Sequence, residues 1–272
     1  MEKNVTKNFK KRLQSGEKVF GLQIGPGNNP QETMQALEGA GVDFIIVDNE
    51  HSLVNKETIY EYMKEARKLG IPIWLRPEEG VANFRCYLDS GVNALMCPSI
   101  TDVEQVAYII KQAYFPPIGH RGSGIGLCPY LIDMQSTAEI PFLALTQYIN
   151  DNTMIFPQAE TLVTISNLPQ ILRLEGVTGV MVGPKDLALD IGGIDPKALT
   201  GEASTPFMED KYREVVQACK QAGKAAGIGG MAPKDLAVWA KEGYQIFVPG
   251  FITEGNVNKV KSAVQELKSL IN

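Results

Sequence analysis

The stretch "DFIIVDNEHSL", residues 43–53, indicates both how this chain folds and where its chemistry lies. Its apolar run, Phe44 to Val47, is typical of a strand buried on both faces, and the run stops at Asp48. A second carboxylate and one of the chain's two histidines follow within three residues. A buried strand that ends in charge predicts a parallel sheet whose carboxyl edge opens into a polar site.

Similar apolar runs recur along the chain, and amphipathic stretches separate most of them. The predicted strands span residues 19–25, 43–49, 72–77, 94–100, 153–160, 179–186, 225–230 and 245–251. Eight strand–helix units with right-handed crossovers predict an α/β fold of the (β/α)8 barrel type, in one domain over residues 1–272. An open doubly wound sheet is the alternative, but "GLQIGPGNNP" lacks its glycine fingerprint.

Local signals place several boundaries between these strands. "KETIYEYMKEARKLG" predicts a helix that ends at Gly70, and Thr101 is the predicted N-cap of a helix that Pro116 ends. The longest irregular piece, residues 116–140, predicts a loop of the kind that forms part of an active site.

Composition excludes several classes of protein. A net charge of -5 and a sequence pI of about 5.3 argue against a nucleic-acid binder or a protein of anionic membranes. We find no secretory signal and no stretch of roughly 18 apolar residues. The four cysteines are scattered without a CxxC pair, so a reducing cytoplasm is the expected location.

Polar side chains stand where the predicted strands end, and a barrel would bring them to one face. The residues at these ends are Asp48, Glu50, His51, Arg76, Gln158, Glu160 and Asp186. Glu160 and Asp186, on adjacent strand ends with oxygen-rich surroundings, predict a site for a hard divalent cation. The structural alternative for each acid is a helix N-cap.

The remaining candidates complete a catalytic hypothesis. "GPKDL" would place amides near Gly183, Pro184 and Lys185 at a helix start, a seat for a carboxylate or phosphate. Arg76 would stabilise an oxyanion, with a salt bridge at the rim as its structural alternative. His51 would move a proton, oriented by Asp89.

Six motifs together resemble the HpcH/HpaI class II pyruvate aldolases. They are "VDNEH", "LRP", "LDSG", "PPIGHRGSG", "PQAET" and "VGPKDL", in the family's order across about residues 18–250. The resemblance implies a barrel that exchanges its last helix, "NVNKVKSAVQELKSLIN", between the subunits of a homo-oligomer, commonly a hexamer built as a dimer of trimers. It implies a metal-dependent aldehyde-lyase that cleaves or forms 4-hydroxy-2-oxo acids through a pyruvate enolate, with an aldehyde as second substrate.

The resemblance also implies roles for individual residues. Glu160 and Asp186 would bind Mg²⁺, Mn²⁺ or Co²⁺. Gln158 and the amides around Lys185 would hold pyruvate, and Arg76 would stabilise its enolate. His51, oriented by Asp89, would move the proton. Asp48 and Glu50 would shape the strand end that carries His51.

Three features depart from the family pattern, and three alternatives for the function stay open. Met181 replaces a usual aromatic residue. Lys185 stands where the family usually has a small residue, and a cation there favours a more acidic substrate. The segment after Arg121 lacks the family pattern. The alternatives are an oxaloacetate-type condensation or decarboxylation, an acyl-CoA or phosphorylated substrate held by "GIGG", and a barrel that binds ligands without catalysis.

Overall fold

The structure is a computed structural model that describes residues 9–78, 84–124, 140–201 and 204–271. Within these residues, eight parallel strands form a closed sheet, since the eighth strand pairs with the first. They are β1 Val19–Ile24, β2 Phe44–Asp48, β3 Ile73–Arg76, β4 Ala94–Cys97, β5 Met154–Ala159, β6 Gly179–Val182, β7 Ala225–Gly229 and β8 Ile246–Val248. The predicted (β/α)8 barrel is confirmed, and each predicted strand contains one observed strand.

Helices surround the barrel. They are α1 Phe9–Gln14, α2 Pro30–Leu37, α3 Lys56–Leu69, α4 Arg85–Ser90, α5 Val103–Ala113, α6 Phe142–Asn152, α7 Leu162–Ile171, α8 Pro184–Ile191, α9 Pro206–Ala222, α10 Pro233–Glu242 and α11 Val257–Ile271. A short ninth strand, β9 Phe251–Ile252, pairs with the carboxyl end of β1. Among the described residues, we find no helix with the length and apolar character needed to cross a membrane.

The predicted helix boundaries agree with the structure at one site and fail at another. Gly70 ends α3 in the left-handed conformation, with φ of 71°. The predicted N-cap Thr101 is wrong by one residue, because the carboxylate of Asp102 accepts the N–H of Gln105 and the side-chain oxygen of Gln105 accepts the backbone N–H of Asp102. The predicted loop 116–140 contains no helix or strand over residues 116–124, and its residues 125–139 lie outside the described part of the chain.

Aromatic rings fill the amino-terminal half of the barrel. The Trp74 ring stacks on Phe44 at 4.0 Å and on Phe156 at 4.5 Å between centroids. Phe9 of α1 packs edge-on against Trp74 and closes this end. Gly21 must lack a side chain, because a Cβ there would overlap the Phe44 ring. This half is therefore a packed core, and any ligand site lies at the opposite end.

The last helix packs within its own chain. Val260, Val264 and Leu267 are buried, and α11 lies against α10, α2 and β1. The Lys261 ammonium donates to the carbonyl of Ala36 at 3.1 Å. A single chain therefore completes its own helical layer, and exchange of this helix between subunits stays a prediction.

Candidate active site

A cavity of about 610 Å³ opens at the carboxyl ends of the strands. All eight strands contribute to its lining, through Gln23, Asp48, Arg76, Met96, Gln158, Met181, Gly229 and Val248. Of the residues proposed from the sequence, those in the lining are Asp48, His51, Arg76, Gln158, Gly183, Pro184, Lys185 and Asp186. The polar strand ends thus meet around one space.

Side-chain alternation explains why this end of the barrel is polar. Strand β1 points Val19, Gly21 and Gln23 inward in turn, and the other strands alternate in the same way. The strand register makes Gln23, Arg76, Gln158 and Gly229 one layer, contributed by β1, β3, β5 and β7. The layer beneath is apolar and consists of Ile46, Met96, Met181 and Val248. The polar layer therefore lies directly above a layer of apolar side chains.

Glu160 is the most constrained acid of the site. It follows β5, and only 5% of it is exposed. Its Oε1 accepts the backbone N–H of Ser99 at 2.6 Å, and its Oε2 accepts Nε2 of Gln158 at 2.6 Å. Burial raises the pKa of Glu160 above its ordinary value, and the neighbouring charge of Asp186 raises it further. A cation between the two acids would relieve that repulsion.

Gly183 lets the start of α8 approach Glu160. A Cβ at this position would lie 2.8 Å from Oε2 of Glu160 and 2.9 Å from its Cβ. Pro184 opens the helix without an N–H, so Lys185 and Asp186 provide the first amides, which have no acceptor within the helix. The charge of Asp186 acts on Glu160, and the roles predicted for these amides and for the two acids stay predictions.

The donor set fits a divalent cation that prefers oxygen. Among the described residues, no group of three or more His, Cys, Asp or Glu side chains forms a metal cluster. A third oxygen of this donor set, besides the carboxylates of Glu160 and Asp186, is Oε1 of Gln158. It is buried and lacks a hydrogen-bond donor in the described chain. Two carboxylates with positions left for water and substrate suit Mg²⁺ or Mn²⁺.

Arg76 is held rigidly by two carboxylates. Its Nε donates to Oδ1 of Asp48 at 2.7 Å and its Nη2 to Oδ2 at 2.8 Å, while Nη1 lies 3.1 Å from Oε2 of Glu50. Burial alone would raise the pKa of Asp48, but the Arg76 hydrogen bonds hold it below its ordinary value. Burial also raises the pKa of Glu50 to about 7, against the opposing charge of Arg76. Asp48 thus contacts Arg76 directly, and it also accepts the backbone N–H of Glu50 and the hydroxyl of Ser52.

His51 stands at the rim, and its predicted partner lies elsewhere. The side chain is 60% exposed, and Nε2 lies 3.6 Å from Oε2 of Glu50. Oδ1 of Asp89 accepts Nη2 of the buried Arg121 at 2.6 Å. The orienting contact between Asp89 and His51 is therefore absent from the described contacts of this chain, and the role of Asp89 stays a prediction.

Sequence reasoning missed three contributors. Ser99 adopts φ of 54°, unusual for a residue other than glycine, and this conformation aims its N–H at Glu160. Arg121 binds Asp89 and stacks 5.1 Å from the Phe115 ring, which ties the "PPIGHRGSG" segment to α4. Gln23 enters the cavity from β1, a position that strand alternation alone would have indicated.

The "GIGG" segment has a steric explanation. A Cβ on Gly229 would lie 2.8 Å from Cβ of Val248 and 2.9 Å from its carbonyl oxygen. Gly229 therefore serves the close packing of β7 on β8. Strand β7 brings no positively charged side chain to the cavity, so nothing on this strand marks a seat for the phosphate of the alternative substrate.

Comparisons with known proteins fit this geometry. Residues 25–259 match the HpcH/HpaI aldolase/citrate lyase family. The chain belongs to this family. It is 29% identical over 226 residues to a 4-hydroxy-2-oxo-heptane-1,7-dioate aldolase of Shigella sonnei, with 81% of this chain and 79% of that protein covered. The predicted family, barrel fold and enzyme class are confirmed.

Two solved structures extend the comparison. An HpcH/HpaI aldolase from Desulfitobacterium hafniense superposes with a TM-score of 0.79 at 25% identity, over 96% of both chains. The protein CitE from Mycobacterium tuberculosis, solved in complex with magnesium and pyruvate, shares the fold with a TM-score of 0.59 at 14% identity, over 96% of this chain and 92% of that one.

Proposed function

We propose that this family member is a divalent-metal-dependent aldolase that cleaves or forms 4-hydroxy-2-oxo acids through a pyruvate enolate. The observation that carries the proposal is the pairing of buried Glu160 with Asp186 at the start of α8, beside a cavity that Asp186, Gln158 and Arg76 line. The naming of its aldolase relative supports the same reaction class. Retro-aldol cleavage would give pyruvate and an aldehyde.

Glu160 and Asp186 would hold the cation, with Mg²⁺, Mn²⁺ and Co²⁺ as candidates. The bound cation would supply Lewis-acid polarisation of the keto-acid carbonyl. The chain itself keeps Glu160 in position through Ser99 and Gln158, which contact opposite oxygens of its carboxylate. Outer contacts of this kind fix the ligand and commonly govern metal affinity.

The acid-bearing side of the cavity would bind the keto acid. The amides at Lys185 and Asp186 would receive its carboxylate, because the first N–H groups of a helix favour an anion. Gln158 would line the same seat. Arg76 would place positive charge beside the developing enolate oxygen, and its bonds to Asp48 would spare it any reorganisation during the reaction.

Proton transfer falls to His51 in this proposal. Its side chain is accessible to solvent and lines the cavity, so it can exchange protons with both water and substrate. We propose Asp89 as its orienting group in the assembled homo-oligomer, for which a hexamer with exchanged α11 is the hypothesis. The cytoplasm is the proposed location.

A second candidate function uses the same enolate with a different electrophile, and Lys185 is the residue that favours it. Lys185 is exposed at the cavity rim and forms no ion pair within the described chain. Its ammonium would attract a carboxylated second substrate, such as an acidic aldehyde or an oxaloacetate-type keto acid. This rival uses the same enolate and differs only in the partner that the enolate attacks.

The test of enolate formation needs no knowledge of the second substrate. The exchange of pyruvate methyl protons in D₂O is followed by NMR with Mg²⁺, Mn²⁺ or Co²⁺, and again with EDTA. We expect metal-dependent exchange that Glu160→Gln lowers at least about 100-fold, because the variant removes a charged ligand. Glu266→Gln on the exposed face of α11 is the matched control. Absence of exchange with any metal would refute the proposal.

A further inference from the structure

The cavity has two unlike walls. The acidic wall consists of Gln158 and residues 183–186, and the buried carboxylate of Glu160 is hydrogen-bonded to it through Gln158. The β1 wall, on the other side of the barrel, consists of Gln23, Pro26, Val248, Gly250 and Phe251. Strands β1 and β5 are four places apart in a ring of eight, so Gln23 and Gln158 face each other across the barrel axis.

Gln23 is the polar side chain of an otherwise apolar β1 wall. It shares the layer of Arg76 and Gln158, so its carboxamide lies at the same level along the barrel axis as the groups proposed to bind the keto acid. Its backbone is fixed by pairing with Ile46 on β2 and with Phe251 on β9. The strand thus delivers a carboxamide into the cavity from a rigid position.

The donor end of this carboxamide is unused. Its Nε2 is buried and has no acceptor among the residues that the structure describes. A buried donor without an acceptor destabilises the folded protein, and an apolar side chain of similar shape would avoid that loss, so packing alone does not explain a glutamine here. The amide plane rotates about its last torsion, so Nε2 can turn toward a ligand in the cavity.

We propose that Gln23 is a specificity-determining residue that donates a hydrogen bond to an oxygen substituent of the second substrate. The inference rests on the proposed aldolase function, which assigns the keto acid to the acidic wall. A product that extends from that wall across the cavity meets Gln23 with the part contributed by the aldehyde. The second substrate is therefore an aldehyde that bears an oxygen, hydroxyl or carboxylate, beyond its reacting carbonyl.

A pair of aldehydes of nearly equal size tests this assignment. Glycolaldehyde and propionaldehyde differ by the exchange of a hydroxyl for a methyl group, and each is condensed with pyruvate in the presence of Mn²⁺. We expect the wild type to prefer glycolaldehyde in kcat/KM. Gln23→Met, which keeps the length of the side chain and removes the amide, should lower that preference about fivefold, the worth of a neutral hydrogen bond of about 1 kcal/mol.

Two controls separate the possible failures. Gln147→Met, at an exposed position on α6, should leave the preference unchanged. Pyruvate methyl exchange should be equal in wild type and Gln23→Met, since the keto-acid seat is untouched. The role of Gln23 would be overturned if Gln23→Met kept both pyruvate exchange and the wild-type aldehyde preference. It would also be overturned if the wild type exchanged pyruvate protons but did not condense glycolaldehyde. Loss of exchange in the wild type itself would instead overturn the proposed function.

Discussion

The two walls of the cavity are built on opposite principles. On the acidic wall the carboxylate of Glu160 is positioned by its neighbours: Gln158 and Ser99 donate to it, and Gly183 leaves room for it. On the β1 wall one carboxamide projects from an apolar surface, and its Nε2 has no acceptor among the described residues. A wall with internal hydrogen bonds is preorganised for one chemical task, whereas a wall with an unused donor can form a new hydrogen bond to a ligand.

Arg76, on β3 between the two walls, gives the comparison its largest expected effect. Lys in its place carries the charge but cannot form the two-pronged bond to Asp48, so the cation would no longer be fixed. We expect Arg76→Lys to lower kcat of pyruvate methyl exchange about 10²–10³-fold, as the removal of a preorganised oxyanion group does. Stopped-time NMR exchange at saturating pyruvate measures it.

A matched arginine supplies the control. Arg12 also contacts two carboxylates, Glu17 and Asp43, but it lies far from the cavity at the end of α1. Arg12→Lys should leave exchange within twofold of the wild type. If Arg76→Lys retained more than a tenth of wild-type exchange, the guanidinium geometry would be irrelevant and a plain positive charge would suffice.

Continuous apolar runs predicted much of this architecture, because the parallel strands of a barrel are buried on both faces. The eight apolar runs indicated the barrel, and the polar strand ends indicated the cavity. The N-cap of α5 was missed by one residue because Thr101 and Asp102 are both capping types, and only geometry selects between them. The left-handed backbone of Ser99 has no signature in the side chain, so its amide contact with Glu160 required coordinates.

The partner of His51 shows a different limit of sequence reasoning. "LDSG" indicated an acid near the strand ends, but the carboxylate of Asp89 is taken by Arg121 from a segment 32 residues later in the chain. Competition among several bases for one acid depends on distances between loops. The spacing of the motifs along the chain does not encode those distances. The sequence therefore indicated an acid near the site, but it did not indicate that Arg121 is the partner of Asp89 within this chain.

Gly183 tests how tightly the acidic wall is built. Gly183→Ala would place a methyl group 2.8 Å from Oε2 of Glu160, and the carboxylate would have to move from its ligand position. We expect apparent Mn²⁺ affinity to fall about 10–100-fold, the range seen when outer contacts of metal ligands are disturbed. Titration of the metal-induced rise in Tm measures it.

The control for this prediction lies at the other end of the same helix. A Cβ on Gly193 meets no atom within 4 Å, so Gly193→Ala should leave Mn²⁺ affinity unchanged. Equal affinities for Gly183→Ala and the wild type would mean that Glu160 tolerates displacement. The acidic wall would then be no more preorganised than the β1 wall.

The smallest expected effect concerns the ion pair that fixes Arg76, and it appears as a pH dependence of stability. Folding lowers the pKa of Asp48, so this carboxylate stabilises the folded protein fully above its ordinary pKa of about 3.9. That stabilisation is lost as pH falls through the lowered pKa of the folded state. Asn at this position cannot titrate, so we expect the free energy of unfolding of the wild type to exceed that of Asp48→Asn by on the order of 1 kcal/mol near pH 6.

The gap should close as pH falls below about 3.9 and through the lowered pKa of the folded state, because protonation of Asp48 removes the charge that Arg76 binds. Urea unfolding at successive pH values below about 6 measures the gap. Carboxylates remote from Asp48 titrate alike in both proteins, whereas Glu50 is coupled to Asp48 and is removed from the comparison by repeating it in a Glu50→Gln background. A gap that widens on acidification would mean that Asp48 is protonated in the folded protein at neutral pH. Arg76 would then be held by Glu50 alone, and the rigidity that distinguishes the acidic side of the cavity from the β1 wall would need another source.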